Sequence, residues 1–87
     1  LSLVAADDVA AARIDAVLRE SGGAAVERVE LLEEFRGGTV PAGSRSLLWR
    51  VTLRDPHKTF SQKEIDGRRQ RLVKVLEETL GVRLRAS

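Results

Sequence analysis

Arginine side chains recur along the second half of the chain at spacings that can gather them on one surface. Between residues 47 and 54, apolar and polar residues alternate with a period of two, which places every second side chain on the same face of a strand. Guanidinium groups bind phosphate through paired hydrogen bonds, and apolar side chains beside them can contact a base. The pattern therefore indicates binding of a polyanion. The side chains that it brings together are Leu48, Arg50, Thr52 and Arg54 and, from a shorter alternation near the C-terminus, Arg83 and Arg85.

The net charge of the 87 residues is only +2, but the charge is unevenly divided along the chain. Residues 1–43 carry 4 basic and 8 acidic side chains, whereas residues 44–87 carry 11 basic and 5 acidic ones. This division predicts that the second half presents a positive surface, which favours a polyanionic partner such as a nucleic acid. An arginine-rich helix face exposed to water would give the same count, so charge alone leaves both interpretations open.

Few residues in the chain are suited to catalysis or metal binding. There is no cysteine, and the single histidine, His57, follows a proline in a turn with no serine nucleophile beside it. Paired carboxylates such as Glu77 and Glu78 lack the spacing of a metal site. The segment 38–45 is close to a phosphate-binding loop, but Ser44 stands where that loop needs lysine, and the segment joins two strands. We therefore predict no catalytic residue, no metal site and no cofactor in this domain.

The composition limits the fold that must position these side chains. With 43% apolar residues, the chain can form the core of one small domain, which we take as residues 1–87. No apolar run approaches the roughly 18–20 residues of a membrane span. The chain starts at Leu1 and contains no methionine, so we expect it to be a piece of a longer protein.

The first half of the chain predicts a strand, a helix and a second strand. Residues 1–5 are apolar and typical of a buried strand, after which Asp7 and Asp8 are placed to cap a helix. Apolar residues between positions 10 and 18 fall on one side of that helix, and Gly22-Gly23 ends it. Residues 26–35 begin as an alternating strand, and the pair Leu31-Leu32 breaks the alternation as a bulge or two-sided burial would.

The second half of the chain predicts a strand, a helix and a last short strand. After a loop over residues 36–44 and the alternating strand, Asp55-Pro56 forms a turn. Ser61 and Glu64 then form a capping box that begins a helix, and Gly81 ends the helix. Residues 82–85 supply the last strand. The residues expected to face the core are Leu47, Trp49, Val51 and Leu53, then Ile65, Leu72, Leu76 and Leu80, then Val82 and Leu84.

This order of strand, helix, strand, strand, helix and strand is the split βαβ of the ferredoxin-like fold. We therefore predict an α+β domain with a βαββαβ order, a four-stranded antiparallel sheet of strand order 4-1-3-2, and both helices on one face. The other face of the sheet stays open and carries the arginines identified above. The second strand is expected to add Arg28, Glu30 and Leu32 to the same open face.

Three sequence motifs give a more specific signal. They are Glu33-Glu34-Phe35-Arg36-Gly37-Gly38, then Gly43-Ser44-Arg45-Ser46-Leu47-Leu48-Trp49-Arg50-Val51-Thr52-Leu53, then Asp55-Pro56-His57-Lys58-Thr59-Phe60-Ser61. Together they resemble the ferredoxin-fold anticodon-binding domain at the C-terminus of the phenylalanine–tRNA ligase β subunit, over essentially the whole chain. One departure is Ser44-Arg45, which replaces a pair of lysines that is usual in that family.

The resemblance implies a domain that binds the anticodon stem-loop of tRNA(Phe) and has no catalytic residue of its own. It adds Arg36 and Arg45 to the tRNA-binding candidates, which become Arg36, Arg45, Leu48, Arg50, Thr52, Arg54, Arg83 and Arg85. It also implies that the chain is the C-terminal part of a β subunit. Aminoacylation with ATP and magnesium would then take place in an α subunit, within a cytoplasmic (αβ)2 heterotetramer that involves neither DNA nor a membrane.

A second interpretation remains open from the residues alone. The acidic first half of the chain suits contact with another protein better than contact with RNA. The chain could then be a ferredoxin-like protein-interaction module, or a regulatory module for a small ligand, that does not bind RNA. Salt dependence separates the two interpretations, because only binding through several phosphates weakens steeply as salt is added.

Overall fold

The computed structural model describes residues 1–85. Its elements follow the predicted order, and a short 3-10 turn connects the first helix to the second strand. No helix within residues 1–85 is both long enough and apolar enough to cross a membrane. The bounds are β1 Ser2–Ala6, α1 Ala11–Gly22, β2 Val26–Phe35, β3 Ser44–Leu53, α2 Gln62–Leu80 and β4 Arg83–Leu84.

The four strands form one antiparallel sheet of order β2-β3-β1-β4, which is the predicted order read from the opposite edge. Side chains from the sheet and from both helices belong to one core cluster, so α1 and α2 cover the same face. The ferredoxin-like fold is therefore confirmed. β1 pairs with residues 44–48 of β3. Within the described chain, residues 50–53 of β3 pair with β2 alone and form a two-stranded ribbon.

The core follows the predicted alternation in the strands, with one exception at the sheet edge. Leu47 and Trp49 are buried, and Val82 is 1% exposed, as predicted. Leu84 is in register with the buried Leu3, so it lies on the helix side of the sheet as predicted. It nevertheless remains 43% exposed, because β4 is a two-residue edge strand and a side chain there has a neighbouring strand on one side only.

The start of α1 differs from the prediction. Asp7 and Asp8 do not cap the helix, whose N-cap is Ala10 without a side-chain hydrogen bond. The helix begins at Ala11, which is too far along the chain for either carboxylate to serve as its cap. Asp7 instead accepts a hydrogen bond from Arg36, in the loop between β2 and β3. This carboxylate therefore ties two loops together.

The start of α2 is the predicted capping box. The Glu64 amide donates to the Ser61 hydroxyl at 3.2 Å, and the Glu64 carboxylate accepts from the Ser61 amide at 3.3 Å. The Lys58 ammonium donates to the same carboxylate. These hydrogen bonds, that from Lys58 first, hold the pKa of Glu64 below its usual value. At the other end, Gly81 adopts a positive φ of 68°, a conformation that favours glycine, and ends the helix as predicted.

Replacing Ser61 with alanine is expected to lower the free energy of unfolding by about 1 kcal/mol, because the Glu64 amide loses the hydroxyl that accepts its hydrogen bond. The measurement is urea denaturation followed by the fluorescence of Trp49, the single tryptophan of the chain. Ser21→Ala is the matched control, since Ser21 lies exposed in the last turn of α1. Equal denaturation midpoints for the two variants would contradict a stabilising role for the cap.

Candidate nucleic-acid interface

A bulge in β2 determines which side chains reach the open face of the sheet. The register against β3 shifts between Leu31 and Glu33, so that Leu31 is opposite the buried Trp49 while Glu33 is opposite Leu48. The alternation is reversed from this point, and Glu33 and Phe35 lie on the face away from the helices. Without the bulge, both side chains would point toward the helix layer.

The bulge also changes the position of Leu32. Its side chain is 41% exposed and lines a cavity of about 410 Å³ together with Trp49, Ile65 and Leu72. These neighbours belong to the helix side of the sheet. The prediction that Leu32 lies on the open face is therefore wrong, because a residue inserted by a bulge does not follow the alternation of its strand.

The open face contains a cleft of about 320 Å³ where β2, β3 and β1 meet. Phe35 lines it and is 48% exposed. The Arg85 guanidinium lies over the Phe35 ring, 5.8 Å from its centre, and donates to the hydroxyls of Ser46 at 3.2 Å and Thr39 at 3.3 Å. We call this feature the Phe35 cleft. Its lining residues are Ser2, Glu33, Phe35, Ser46, Leu48 and Arg85.

The Phe35 cleft combines groups that can hold one unstacked nucleobase. An exposed aromatic ring stacks on any base, and the guanidinium beside it attracts phosphate. The Glu33 carboxylate accepts hydrogen bonds, so a base edge with N–H donors fits better than an edge with acceptors only. Leu48 adds apolar contact. The cleft therefore has groups suited to a base and to a phosphate side by side, and of its lining residues Leu48 and Arg85 were candidates from sequence.

Arg50, Thr52 and Arg54 continue the open face along the ribbon, over about 20 Å from Leu48 at a strand rise of about 3.3 Å per residue. Arg54 is 71% exposed and forms an ion pair with Glu27 at 3.1 Å. Exposed ion pairs contribute less than about 1 kcal/mol, so a phosphate can displace the Glu27 carboxylate. Arg50 is exposed and takes part in no ion pair among residues 1–85.

Arg45 is buried, unlike the other tRNA-binding candidates. It is 6% exposed and is in register with Ala5 on the helix side of the sheet. Its guanidinium donates to the carbonyls of Ala6 at 2.9 Å and Val9 at 2.6 Å, and it contacts the Glu34 carboxylate at 3.0 Å. With these partners, the guanidinium is bonded within the protein and is not available to a ligand. Arg45 therefore holds the β1–α1 loop in place, and we leave it out of the interface.

The two remaining arginine sites lie at opposite ends of this surface. Arg36 is 57% exposed and forms ion pairs with Asp7 and, at 3.8 Å, with Glu34. It follows Phe35 directly in the chain, so it lies beside the Phe35 cleft. Arg83 is exposed and in register with Val4 on the open face, at the β4 edge. Both side chains are accessible, and their part in tRNA binding stays a prediction.

The positive charge on the open face is interrupted by carboxylates. β2, from the acidic half, lies beside β3, from the basic half, and brings Glu27, Glu30 and Glu33 next to its arginines. The prediction of one positive surface from the second half therefore needs correction, because the sheet order interleaves the two halves. The arginines on the open face alternate with carboxylates. This arrangement favours individual arginine–phosphate contacts over long-range electrostatic attraction of a polyanion.

Phe35 and Glu33 were not among the candidates from sequence. Their signal was present, since the Leu31-Leu32 pair indicated a bulge and a bulge reverses the side on which later residues lie. Counting the alternation from the bulge onward would have placed both side chains on the open face. Ser2 and Ser46, which complete the cleft, gave no comparable signal.

His57 and the carboxylates form no recognisable catalytic or metal centre in the described chain. His57 is exposed in the turn after β3, and its backbone amide donates to the Asp55 carboxylate at 2.8 Å. Within residues 1–85, no group of three or more histidine, cysteine, aspartate or glutamate side chains could hold a metal ion.

A four-stranded antiparallel sheet with two helices on one face and a cleft on the other defines a ferredoxin-like α+β binding domain. The family is narrower than this class. The family model described as the ferredoxin-fold anticodon binding domain matches residues 1–85. The chain therefore belongs to the ferredoxin-fold anticodon-binding domain family.

Curated relatives agree with this family. The chain is 37% identical to the phenylalanine–tRNA ligase beta subunit of Gloeobacter violaceus over 86 residues, which are 99% of this chain and 11% of the relative. It is 31% identical to that of Clostridium acetobutylicum over 85 residues, 98% of this chain and 11% of the relative. For Bifidobacterium longum the identity is 35% over 86 residues, 99% of this chain and 10% of the relative. The chain spans about a tenth of the length of these relatives.

Proposed function

We propose that residues 1–87 are a domain of a phenylalanine–tRNA ligase β subunit and that the open sheet face binds the anticodon stem-loop of tRNA(Phe). The observation that carries the proposal is the Phe35 cleft, in which an exposed aromatic ring, a guanidinium and a carboxylate line one base-sized space. Such a site suits a base that has left its stack, and bases of this kind occur in RNA loops.

The ribbon beyond the cleft supplies the second part of the proposed contact. Arg50 in β3 and Arg54 directly after it are exposed and can reach phosphates of the stem while a loop base occupies the cleft. In this arrangement the arginines contribute affinity for RNA of any sequence. The Phe35 cleft contributes specificity for one base.

The proposal includes the parent enzyme. The domain binds and does not catalyse, and aminoacylation of tRNA(Phe) with ATP and Mg²⁺ takes place in the α subunit of a cytoplasmic (αβ)2 assembly. The family and the names of the relatives support a phenylalanine–tRNA ligase β subunit as the parent, and the other statements are part of the proposal. The role of this domain is then to hold the tRNA in the orientation that the distant active site requires.

Titration of a labelled tRNA(Phe) anticodon stem-loop with the 87-residue chain tests the proposal. Arg50→Gln is expected to weaken binding about fivefold and to reduce the salt dependence by about one phosphate contact. Arg13→Gln is the matched control, because Arg13 is exposed on α1, which packs on the opposite face of the sheet. Binding that is unaffected by salt and by Arg50→Gln would favour the protein-interaction or small-ligand module instead.

A further inference from the structure

One edge of β3 is free beyond the point where its pairing with β1 ends. β1 pairs with residues 44–48 of β3, whereas residues 50–53 pair with β2 alone within the described chain. The Trp49 amide donates to the Leu1 carbonyl at 2.7 Å, and the Leu1 amine donates to the Trp49 carbonyl at 2.8 Å. This reciprocal pair is the last step of the ladder between β1 and β3.

Val51 and Leu53 present their backbone groups at this free edge. Successive residues of a strand direct their amide and carbonyl alternately toward the two neighbouring strands. Trp49 directs both groups toward the β1 side, and the Arg54 amide donates to the Ala25 carbonyl at 2.8 Å on the β2 side. Val51 and Leu53 are therefore in phase with Trp49. Within residues 1–85 no strand pairs with them on that side, which leaves an edge for one more strand.

A groove lies beside this free edge, on the helix side of the sheet. It is the cavity of about 410 Å³ that Leu32 lines, and its lining includes Val51 and Leu53 from β3 and Ile65 and Arg69 from α2. Val51, Leu53 and Ile65 are only partly buried, so a neighbouring strand would bury more of their apolar surface. Every second side chain of a strand paired with the edge would point toward α2 and cover the cavity. We call this feature the edge groove.

We propose that the residues directly before Leu1 in the parent β subunit continue β1 along this edge and cover the edge groove. The proposal rests on the proposed function, since it requires a parent chain in which residues precede Leu1. In an antiparallel ladder that passes through Leu1 and Trp49, the residue directly before Leu1 is opposite Arg50, and the residue before that one is opposite Val51. The second of these residues exchanges two backbone hydrogen bonds with Val51. Its side chain lies on the same face as that of Leu1 and points into the edge groove.

The surroundings of the Leu1 amine support this occupant. Burial first, and then the Arg69 guanidinium, lower the pKa of the amine. A positive charge is therefore disfavoured at this point, whereas a peptide N–H makes the same hydrogen bond to Trp49 without a charge. Residues joined to Leu1 also reach the edge without a loop and without a bimolecular encounter. A second copy of the domain would instead bring its own Arg50 to an edge that already carries one.

Amide hydrogen exchange at Val51 tests the proposal. Three proteins are compared without RNA: the 87-residue chain, a chain extended by the roughly six residues that precede Leu1 in the parent, which is a typical strand length, and the full β subunit. The Val51 amide is expected to exchange at least about tenfold more slowly in the extended chain than in the 87-residue chain, because it gains a backbone acceptor. The Gly38 amide, in the loop between β2 and β3, is the control and should exchange equally in these two chains.

Three results would overturn the proposal. The first is equal exchange of the Val51 amide in the 87-residue chain and the extended chain. The second is slow exchange in the full β subunit alone, because another part of the enzyme would then cover the edge. The third is exchange that slows in the 87-residue chain as its concentration is raised, which would make a second copy the occupant.

Proline substitutions in the extension test the register. Proline at the second residue before Leu1 removes the N–H that donates to the Val51 carbonyl, so the Val51 amide should exchange at least about threefold faster than in the unsubstituted extended chain. Proline directly before Leu1 is the matched control, because the N–H at that position points away from β3. It should leave the exchange rate within about twofold. Equal effects of the two prolines would contradict the proposed pairing.

Failure of this pairing and failure of the proposed tRNA contact give different results. The exchange of Val51 is measured without RNA, whereas the tRNA contact is measured by the effects of salt and of Arg50→Gln on stem-loop affinity. If the extension protects Val51 but the stem-loop does not bind, the strand pairing stands without the RNA contact. If the stem-loop binds but the extension leaves Val51 unprotected, the RNA contact stands and the strand pairing is overturned.

Discussion

Replacing Phe35 with alanine is expected to weaken binding of the anticodon stem-loop by about 1–3 kcal/mol, which is roughly 5- to 150-fold. The ring is the aromatic surface of the cleft, and a stacked base has no substitute for it among the other lining residues. Because the side chain is 48% exposed, its loss should lower the free energy of unfolding by only about 1 kcal/mol. The loss of affinity is therefore separable from unfolding.

Leu31→Ala is the matched control for this variant. Leu31 belongs to the same strand and is 40% exposed, but it is opposite Trp49 and so lies on the helix side of the bulge. It should leave the affinity for the stem-loop within about twofold, because it removes apolar surface away from the RNA. Phe35→Tyr should retain most of the affinity, since stacking needs only the ring. Equal losses for Leu31→Ala and Phe35→Ala would mean that the cleft does not hold a base.

Replacing Arg45 with alanine is expected to lower the free energy of unfolding by about 3 kcal/mol. Its guanidinium makes two hydrogen bonds to backbone carbonyls, those of Ala6 and Val9, and hydrogen bonds of charged groups contribute about 1.5–3 kcal/mol each. The Glu34 carboxylate is 49% exposed and regains water when its partner is removed, so the ion pair adds little. The measurement is urea denaturation followed by Trp49 fluorescence.

Arg36→Ala provides the comparison for Arg45. Both guanidinium groups contact Glu34, but Arg36 is 57% exposed, and its ion pairs should contribute less than about 1 kcal/mol. Arg45→Lys keeps the charge and should still lose most of the stability, because a single ammonium cannot serve both carbonyls in the same geometry. A normal unfolding free energy together with weaker RNA binding for Arg45→Ala would instead return Arg45 to the interface.

The fold could be predicted from the sequence because periodicity and helix-ending signals agree over long segments. The alternation around Trp49, the capping box at Ser61 and the glycine at position 81 each depend on neighbours within a few residues. Such local signals can be interpreted without knowledge of the tertiary structure. The prediction that Asp7 and Asp8 cap α1 was wrong. A side chain caps a helix only if the helix begins directly after it, and here the N-cap position is Ala10.

The site was less predictable, because its members depend on register between strands. Arg45 is two residues before Leu47, so the alternation of β3 already placed it on the helix side, but the resemblance to a family lysine pair favoured an exposed role. Its burial also needs the carbonyls of the distant β1–α1 loop. Phe35 depends on how far the bulge shifts the pairing. The Leu31-Leu32 pair indicates a bulge, but the size of the register shift cannot be obtained from local pattern alone.

The ribbon formed by β2 and the end of β3 has a consequence for self-association. Residues 50–53 pair with β2 and with no other strand of the described chain. The backbone amides and carbonyls on their other edge are therefore free to pair with a strand of another molecule. Charged side chains along such an edge oppose the approach of a second copy, and Arg50 and Arg54 lie there. We therefore expect the arginines that we propose for RNA contact also to oppose edge-to-edge pairing of two copies of the domain. An apolar replacement of Arg50 is then expected both to remove the proposed phosphate contact and to favour association of two copies through this edge.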